Sequence, residues 1–295
     1  MARTETEKQW TILSLIQWSE GYLAEKGVES PRLNAELLLA AALGYDRIDL
    51  YTRFDKPLTR DELDRYKSLF IRRANREPLQ YILGYVDFYG RRFTVRRGVL
   101  IPRPETEHVI EATIELIRET EKKTLRILDI GTGSGCIAIT LAAEIENAHI
   151  TAIDISHDAL EVARENAVKY GMNGRISLQE ADILQANAAI PGAGSYDMVV
   201  ANPPYIPIHE WDELAEEVKM HEPRYALTDD ADGLTYIKRI AEIAPGLLKK
   251  DGWLICEIGH EQFDSVQMLF SSHGARDIRH WNDLSGIKRI IGGNW

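Results

Sequence analysis

The sequence predicts an α/β protein: a mostly parallel seven-stranded sheet with an antiparallel final strand, preceded by a small helical bundle and a β-hairpin linker. Three observations carry this. From residue 125 onward, short β-branched runs alternate with helical stretches, the pattern of a parallel sheet covered on both faces. The last two strand runs, at 277–281 and 287–291, are separated only by residues 282–286, too few for a crossover helix, so that pair should be antiparallel. The first 76 residues hold helical apolar stripes and no strand pattern.

Taken in order, Ile12, Leu13, Leu15, Ile16, Trp18, Tyr22 and Leu23 form a helical stripe over 10–23. Ser30-Pro31 reads as an N-cap and first helical proline, opening a helix over 33–43 that ends at Gly44. Helices over 47–52 and 59–75 complete the bundle. Residues 1–76 carry no catalytic cluster and are read as a helical substrate-docking domain, since folding alone requires no separate small domain. Across 77–100, Pro78, Gly84, Gly90 and Gly98 punctuate aromatic and β-branched runs, a hairpin expected to link two domains. Pro102 and Pro104 stiffen the entry to a helix over 105–119, and 101–295 forms the expected second domain. Its strands are predicted at 125–130, 150–154, 176–181, 196–201 and 253–258 before the closing pair. Its further helices are predicted at 137–144, 158–170, 234–248 and 261–271.

With 295 residues the chain can hold two domains, and a content of 44% hydrophobic and 27% charged residues is that of a soluble globular protein. A net charge of -11 argues against nonspecific duplex binding, which is built from clustered Lys and Arg. Cys136 and Cys256 lie in apolar stretches without metal-ligand spacing and read as buried thiols in a reducing compartment. No apolar run approaches the ~20 residues of a membrane span, and residues 1–8 lack the layout of a secretory signal. His209-Glu210 and His221-Glu222 lack the second histidine of a zinc-protease helix. A cytoplasmic protein is expected.

Asn202-Pro203-Pro204-Tyr205 follows the apolar run 196–201 directly. That run reads as a buried strand stopped by two prolines, which places Asn202 at the carboxyl edge of the sheet, where open parallel sheets bind ligands. Such a rigid turn suits a flat, conjugated amino group. The Asn202 side-chain oxygen and the Pro203 carbonyl can each accept one N–H, and Tyr205 can stack on the plane. An ordinary Pro-Pro turn is the plain alternative, and residues upstream argue against it.

Asp129-Ile130-Gly131-Thr132-Gly133-Ser134-Gly135 follows the first strand of the sheet and opens its helix. Glycines permit a sharp turn and close approach of a ligand. A dinucleotide enzyme spaces them G-x-G-x-x-G to seat a pyrophosphate on the helix, whereas here G-x-G-x-G follows an acid. Asp129 would repel a phosphate and suits a cation, such as the ammonium and sulfonium of S-adenosylmethionine. Asp154, ending the second strand, can accept from both ribose hydroxyls; helix capping is its alternative, and Ser156 would cap equally well. Asp182, ending the third, can accept from an adenine amino group.

With these residues at the ends of successive strands, the chain resembles the Rossmann-like class I methyltransferases. More narrowly, it is similar over nearly its whole length to the protein-(glutamine-N5) methyltransferases of peptide-chain release factors, the HemK/PrmC family. The resemblance rests on the helical amino-terminal part, Pro78 to Gly84, Leu100-Ile101-Pro102-Arg103-Pro104-Glu105-Thr106-Glu107, Asp129 to Gly135, Asn202 to Tyr205, Glu222-Pro223 and Asp232-Gly233-Leu234. The Asn-Pro-Pro-Tyr turn is shared with adenine-N6 methyltransferases; the proline-rich run and the segment from Pro78 discriminate better. The resemblance implies methyl transfer from S-adenosyl-L-methionine, leaving S-adenosyl-L-homocysteine, to the glutamine of the Gly-Gly-Gln motif in class 1 release factors. It implies cofactor contacts from Asp129, Gly131, Thr132, Gly133, Ser134, Gly135, Asp154, Asp182, Ile183 and Asn202. It implies an acceptor site of Asn202, Pro203, Pro204 and Tyr205, with Asn202, Pro203 and Tyr205 catalytic. No metal is expected, since a sulfonium already makes the methyl electrophilic, and the enzyme is expected to be a monomer without stable nucleic-acid or membrane contacts.

Three other readings compete. An adenine-N6 methyltransferase of DNA or RNA would present its amino group to the same turn after base flipping, but the acidic charge and the lack of a DNA-reading motif weigh against it. A noncatalytic cofactor sensor would not need the complete set of strand-end residues. A nicotinamide oxidoreductase is disfavoured by the glycine spacing and Asp129.

Overall fold

The computed structural model describes residues 9–120, 124–185 and 190–295; the reading of residues 1–8 as lacking a secretory signal lies outside them. The chain divides into two compact units, Met1–Gly84 and Tyr85–Trp295.

In the first unit, α1 (Ile12–Glu25), α2 (Pro31–Leu43), α3 (Arg47–Thr52), α4 (Arg60–Ala74) and the short α5 (Leu79–Leu83) enclose their own core, centred on Leu15, Leu23, Leu38, Leu39 and Phe70. Thr11 and Thr59 close capping boxes with Ser14 and Glu62, satisfying N–H groups that a helix start leaves open. Ser30 departs from expectation. It is left-handed, with φ of 48°, and its hydroxyl caps nothing. Pro31 has no N–H to satisfy, and Asn34 Nδ2 instead donates back to the carbonyls of Glu29 and Ser30 at 3.0 and 3.1 Å.

The second unit opens with the antiparallel hairpin of β1 (Tyr85–Phe88) and β2 (Arg91–Thr94). The division falls after Gly84, inside the 77–100 stretch, whose β-hairpin belongs to the second unit. Phe88 and Phe93, 1% and 0% exposed, belong to the same core as α6 (Glu107–Arg118) and α7 (Cys136–Glu144). Polar bonds hold the hairpin as well: Thr94 N–H donates to Asn166 Oδ1 at 2.8 Å, and Asn166 Nδ2 donates to Thr94 O and Ser134 O at 3.1 and 2.9 Å. One buried asparagine therefore ties hairpin to glycine loop.

The sheet follows the chain through β3 (Leu125–Ile130), β4 (Ala148–Asp154), α8 (His157–Lys169), β5 (Ile176–Glu180), β6 (Tyr196–Ala201), α9 (Glu216–His221), α10 (Thr235–Leu247), β7 (Leu248–Glu257), α11 (Phe263–Ser272), β8 (Asp277–Asn282) and β9 (Lys288–Asn294). Its order is β5-β4-β3-β6-β7-β9-β8, with β9 antiparallel to both neighbours. The chain leaves β3 in one direction and returns to its other side at β6. That reversal makes the carboxyl ends of β3 and β6 the topological switch point, where such sheets bind ligands.

Side-chain alternation sorts the two faces. Ile127, Met198, Val200 and Ile255 pack with α6 and α7, while Leu128, Ile130, Val199 and Leu254 pack with α10 and α11. The same parity puts Asp129, Asn202 and Glu257 on the α6–α7 face. In register, Ala201 pairs with both Ile130 and Cys256, so Asn202 stands level with Gly131 and with Glu257.

Candidate active site

The glycine loop is shaped by what it bonds. Gly131 and Thr132 N–H donate to Ile153 O at 2.9 and 3.0 Å, folding the loop over the end of β4. Gly133 N–H then donates to Asp154 Oδ2 at 2.8 Å, and Ser156 N–H to Oδ1 at 2.9 Å. Ser156 is the N-cap of α8, its hydroxyl accepting from Ala159 N–H, so capping does not consume Asp154. A carboxylate has about four acceptor positions, which leaves Asp154 capacity toward a ligand. Burial raises its pKa above the ordinary carboxylate range.

A cleft opens at this edge. Its wall includes Gly131, Gly133, Asp154, Asp182, Ile183, Asn202, Pro203 and Pro204 from the sequence-derived set. Val99 and Leu100, from the stiff stretch ahead of α6, also line it, as do Ile155, Tyr225 and Tyr236, which the sequence does not single out. Tyr225 OH donates to Gly98 O at 3.0 Å, bracing the strap ahead of α6, and an isolated tyrosine in a polar loop gives no sequence signal of that.

The remaining predicted residues lie behind the wall. Thr132 Oγ1 donates to Asp129 Oδ2 at 2.7 Å, and both side chains are buried. Asp129 Oδ1 has no hydrogen-bond partner among the described residues, and burial, opposed by the Thr132 bond and reinforced by Asp154, pushes the Asp129 carboxyl up to about 7. Ser134 is buried and meets Asn166 through its carbonyl. Gly135 serves packing: a Cβ there would stand 3.0 Å from Ile139 Cδ1 and 3.1 Å from Ala163 Cβ.

The Asn-Pro-Pro-Tyr turn is held from three directions. Asn202 Nδ2 donates to Thr106 Oγ1 at 2.9 Å, at the start of α6. Tyr205 O accepts from Gln262 Nε2 at 2.9 Å, and Tyr205 OH donates to Glu257 Oε1 at 3.0 Å. Glu257's charge, then burial, raises the Tyr205 pKa well above its ordinary value, so the phenol keeps its proton. The motif residues around the turn now have physical reasons. Gly233 has φ of +77°, and a Cβ there would sit 2.2 Å from Tyr205 O. Asp229 shapes that loop by accepting from the N–H groups of Ala231, Gly233 and Thr235, each at 2.9 Å. Glu222, nearly buried, accepts from Ile101 N–H at 3.1 Å and pairs with Arg103, fastening the proline-rich strap.

The cleft suits S-adenosylmethionine. Gly131 and Gly133 present no side chain, Asp154 and Asp182 offer acceptors at successive strand ends, and Ile155, Ile183 and Tyr236 give apolar flanks for a flat base.

The family described as PrmC N-terminal domain matches residues 14–84, and that described as methyltransferase domain matches 121–275. The solved methyltransferase of Pyrococcus furiosus aligns with a TM-score of 0.50 at 15% identity, covering 70% of this chain and 89% of that one. The hMettl16 catalytic domain, solved with an RNA hairpin, aligns with 0.54 at 16% identity, covering 81% and 84%. Fold and domain match together define a Rossmann-like methyltransferase that uses S-adenosylmethionine. The release factor glutamine methyltransferase of Geobacter sulfurreducens is 43% identical over 98% of this chain and 99% of its own. Its counterpart from Bacillus subtilis is 39% identical over 95% and 96%. The chain belongs to the release factor glutamine methyltransferase family.

Proposed function

We propose that the protein transfers a methyl group from S-adenosylmethionine to the side-chain amide nitrogen of the Gly-Gly-Gln glutamine in class 1 release factors. When bound, the cofactor supplies a methyl made electrophilic by its sulfonium. An amide nitrogen is a poor nucleophile because its lone pair is delocalised, so placement must supply much of the rate. Asn202 Oδ1 and the Pro203 carbonyl accept the two N–H bonds of the acceptor, aligning its nitrogen and favouring the positive charge that develops there. The proton leaves after transfer, when that nitrogen is acidic. The observation carrying this reading is the bond from Asn202 Nδ2 to Thr106 Oγ1, which commits the donor end of the amide and leaves its oxygen to accept. Asp154 and Asp182 take the ribose hydroxyls and the adenine amino group, while Asp129 and Thr132 act from behind the loop.

The helical unit has its own core; docking of the release factor is assigned to that unit. The enzyme is read as a monomer of the cytoplasm, where release factors act. The relatives' names do not favour the adenine-N6 alternative, although an exocyclic amino group would fit the same turn. Mass spectrometry after incubation with S-adenosylmethionine and either a release factor or oligonucleotides tests the reading. One added methyl on the Gly-Gly-Gln glutamine is expected; methylated adenine with an unmodified release factor would overturn it.

A further inference from the structure

Glu257 is the one acid in the apolar run 253–258, where it faces the Tyr205 hydroxyl and feels the charge of Arg289. It is 1% exposed, its Oε1 accepts from Tyr205 OH at 3.0 Å, and its Oε2 has no hydrogen-bond partner among the described residues. Burying a carboxylate with an oxygen left open is unfavourable, and an apolar residue of similar volume would serve stability better. A group kept at such a disadvantage points to function. Glu257 does not line the cleft, so it acts through others.

Tyr205 connects it to the acceptor turn. We propose that Glu257 is a positioning residue for methyl transfer, a buried carboxylate that holds Tyr205 by its hydroxyl and so fixes the end of the turn that follows Asn202 and Pro203. The inference rests on the acceptor role proposed for that turn. Asn202 is tied at the other end, its Nδ2 donating to the Thr106 hydroxyl at 2.9 Å, so a turn anchored at both ends keeps the Asn202 and Pro203 oxygens at the spacing that the two N–H bonds of one amide require. Without Glu257 the Tyr205 end is released and that spacing is lost.

The test is a double-mutant cycle of Glu257→Leu and Tyr205→Phe in the full-length enzyme, with a release factor as acceptor. Acceptor kcat/KM, cofactor Kd and melting temperature are measured for each. Each single variant is expected to lose about tenfold or more in kcat/KM while cofactor Kd stays within about twofold. The double variant should lose little more than the worse single, because both changes break one bond. Glu257→Gln, which still accepts from Tyr205, should recover most of the loss. If the Leu variant does not fold, Glu257→Met has the same reach without the branch and replaces it in the cycle. Multiplicative losses, cofactor affinity falling in step with turnover, or a Leu variant within about threefold of wild type would each overturn the role. Asn202→Ala is run alongside: if it too transfers at the wild-type rate, the acceptor reading fails, and if only Glu257 variants do, the positioning role alone fails.

Discussion

At the scale of single residues, Asp129 shows how burial turns a motif acid into a pH-sensitive group. Its carboxyl is lifted from the ordinary 3.8 to about 7, chiefly by burial. The sign follows from proton binding. Between those two values the folded chain holds a proton that the unfolded chain has released, so stability falls as pH rises from about 4 to about 7 and is flat beyond. The full effect is up to about 4 kcal/mol. Urea denaturation at pH 5 and pH 8 should show a wild-type loss that Asp129→Asn reduces; an unchanged loss in the variant would remove Asp129 as a source. A cationic ligand favours the ionised carboxylate, so cofactor binding should tighten as pH passes about 7 and release a proton, measurable by calorimetry in buffers of different ionisation enthalpy.

At the scale of elements, the acceptor turn is as stiff as the loops pressed against it. Gly233→Ala adds a methyl 2.2 Å from Tyr205 O at a left-handed position, so the backbone of one segment must move. A loss of about 2 kcal/mol or more in urea denaturation is expected, together with weaker acceptor turnover. Wild-type kinetics with an unmoved midpoint would show that the two loops are not coupled. The same elements show what the sequence could and could not disclose. The strands over 125–130 and 196–201 were legible to the residue, because β-branched runs bounded by glycine or proline leave no other period. Helix α9 was not, since Glu216–His221 buries no side chain and so carries no apolar stripe. Helix α5, five residues long, is not legible either, because its flanking Pro78 and Gly84 read as turn punctuation. Within the site, residues at strand ends were found by position. Glu257 was hidden inside the apolar run 253–258, and Thr106 joins Asn202 only through a contact 96 positions apart in sequence.

At the scale of the whole molecule, the hairpin decides where the catalytic unit begins. Phe88 and Phe93 are part of its core, and Asn166 bonds both Thr94 and the glycine loop, so an enzyme cut after the hairpin loses support for its cofactor edge. A fragment of residues 85–295 should fold cooperatively and bind S-adenosylmethionine, while one of residues 101–295 should expose apolar surface and bind it poorly. Equal folding and affinity of the two would show the hairpin to be dispensable. The proposed reaction depends on one geometric idea, an acceptor amide held by both hydrogens at the switch point between β3 and β6. Single-turnover methyl transfer by Asn202→Ala, with cofactor Kd measured on the same sample, tests it most directly. A transfer rate reduced about 100-fold or more at unchanged cofactor affinity is predicted; near wild-type transfer, or a loss wholly explained by weakened cofactor binding, would contradict it.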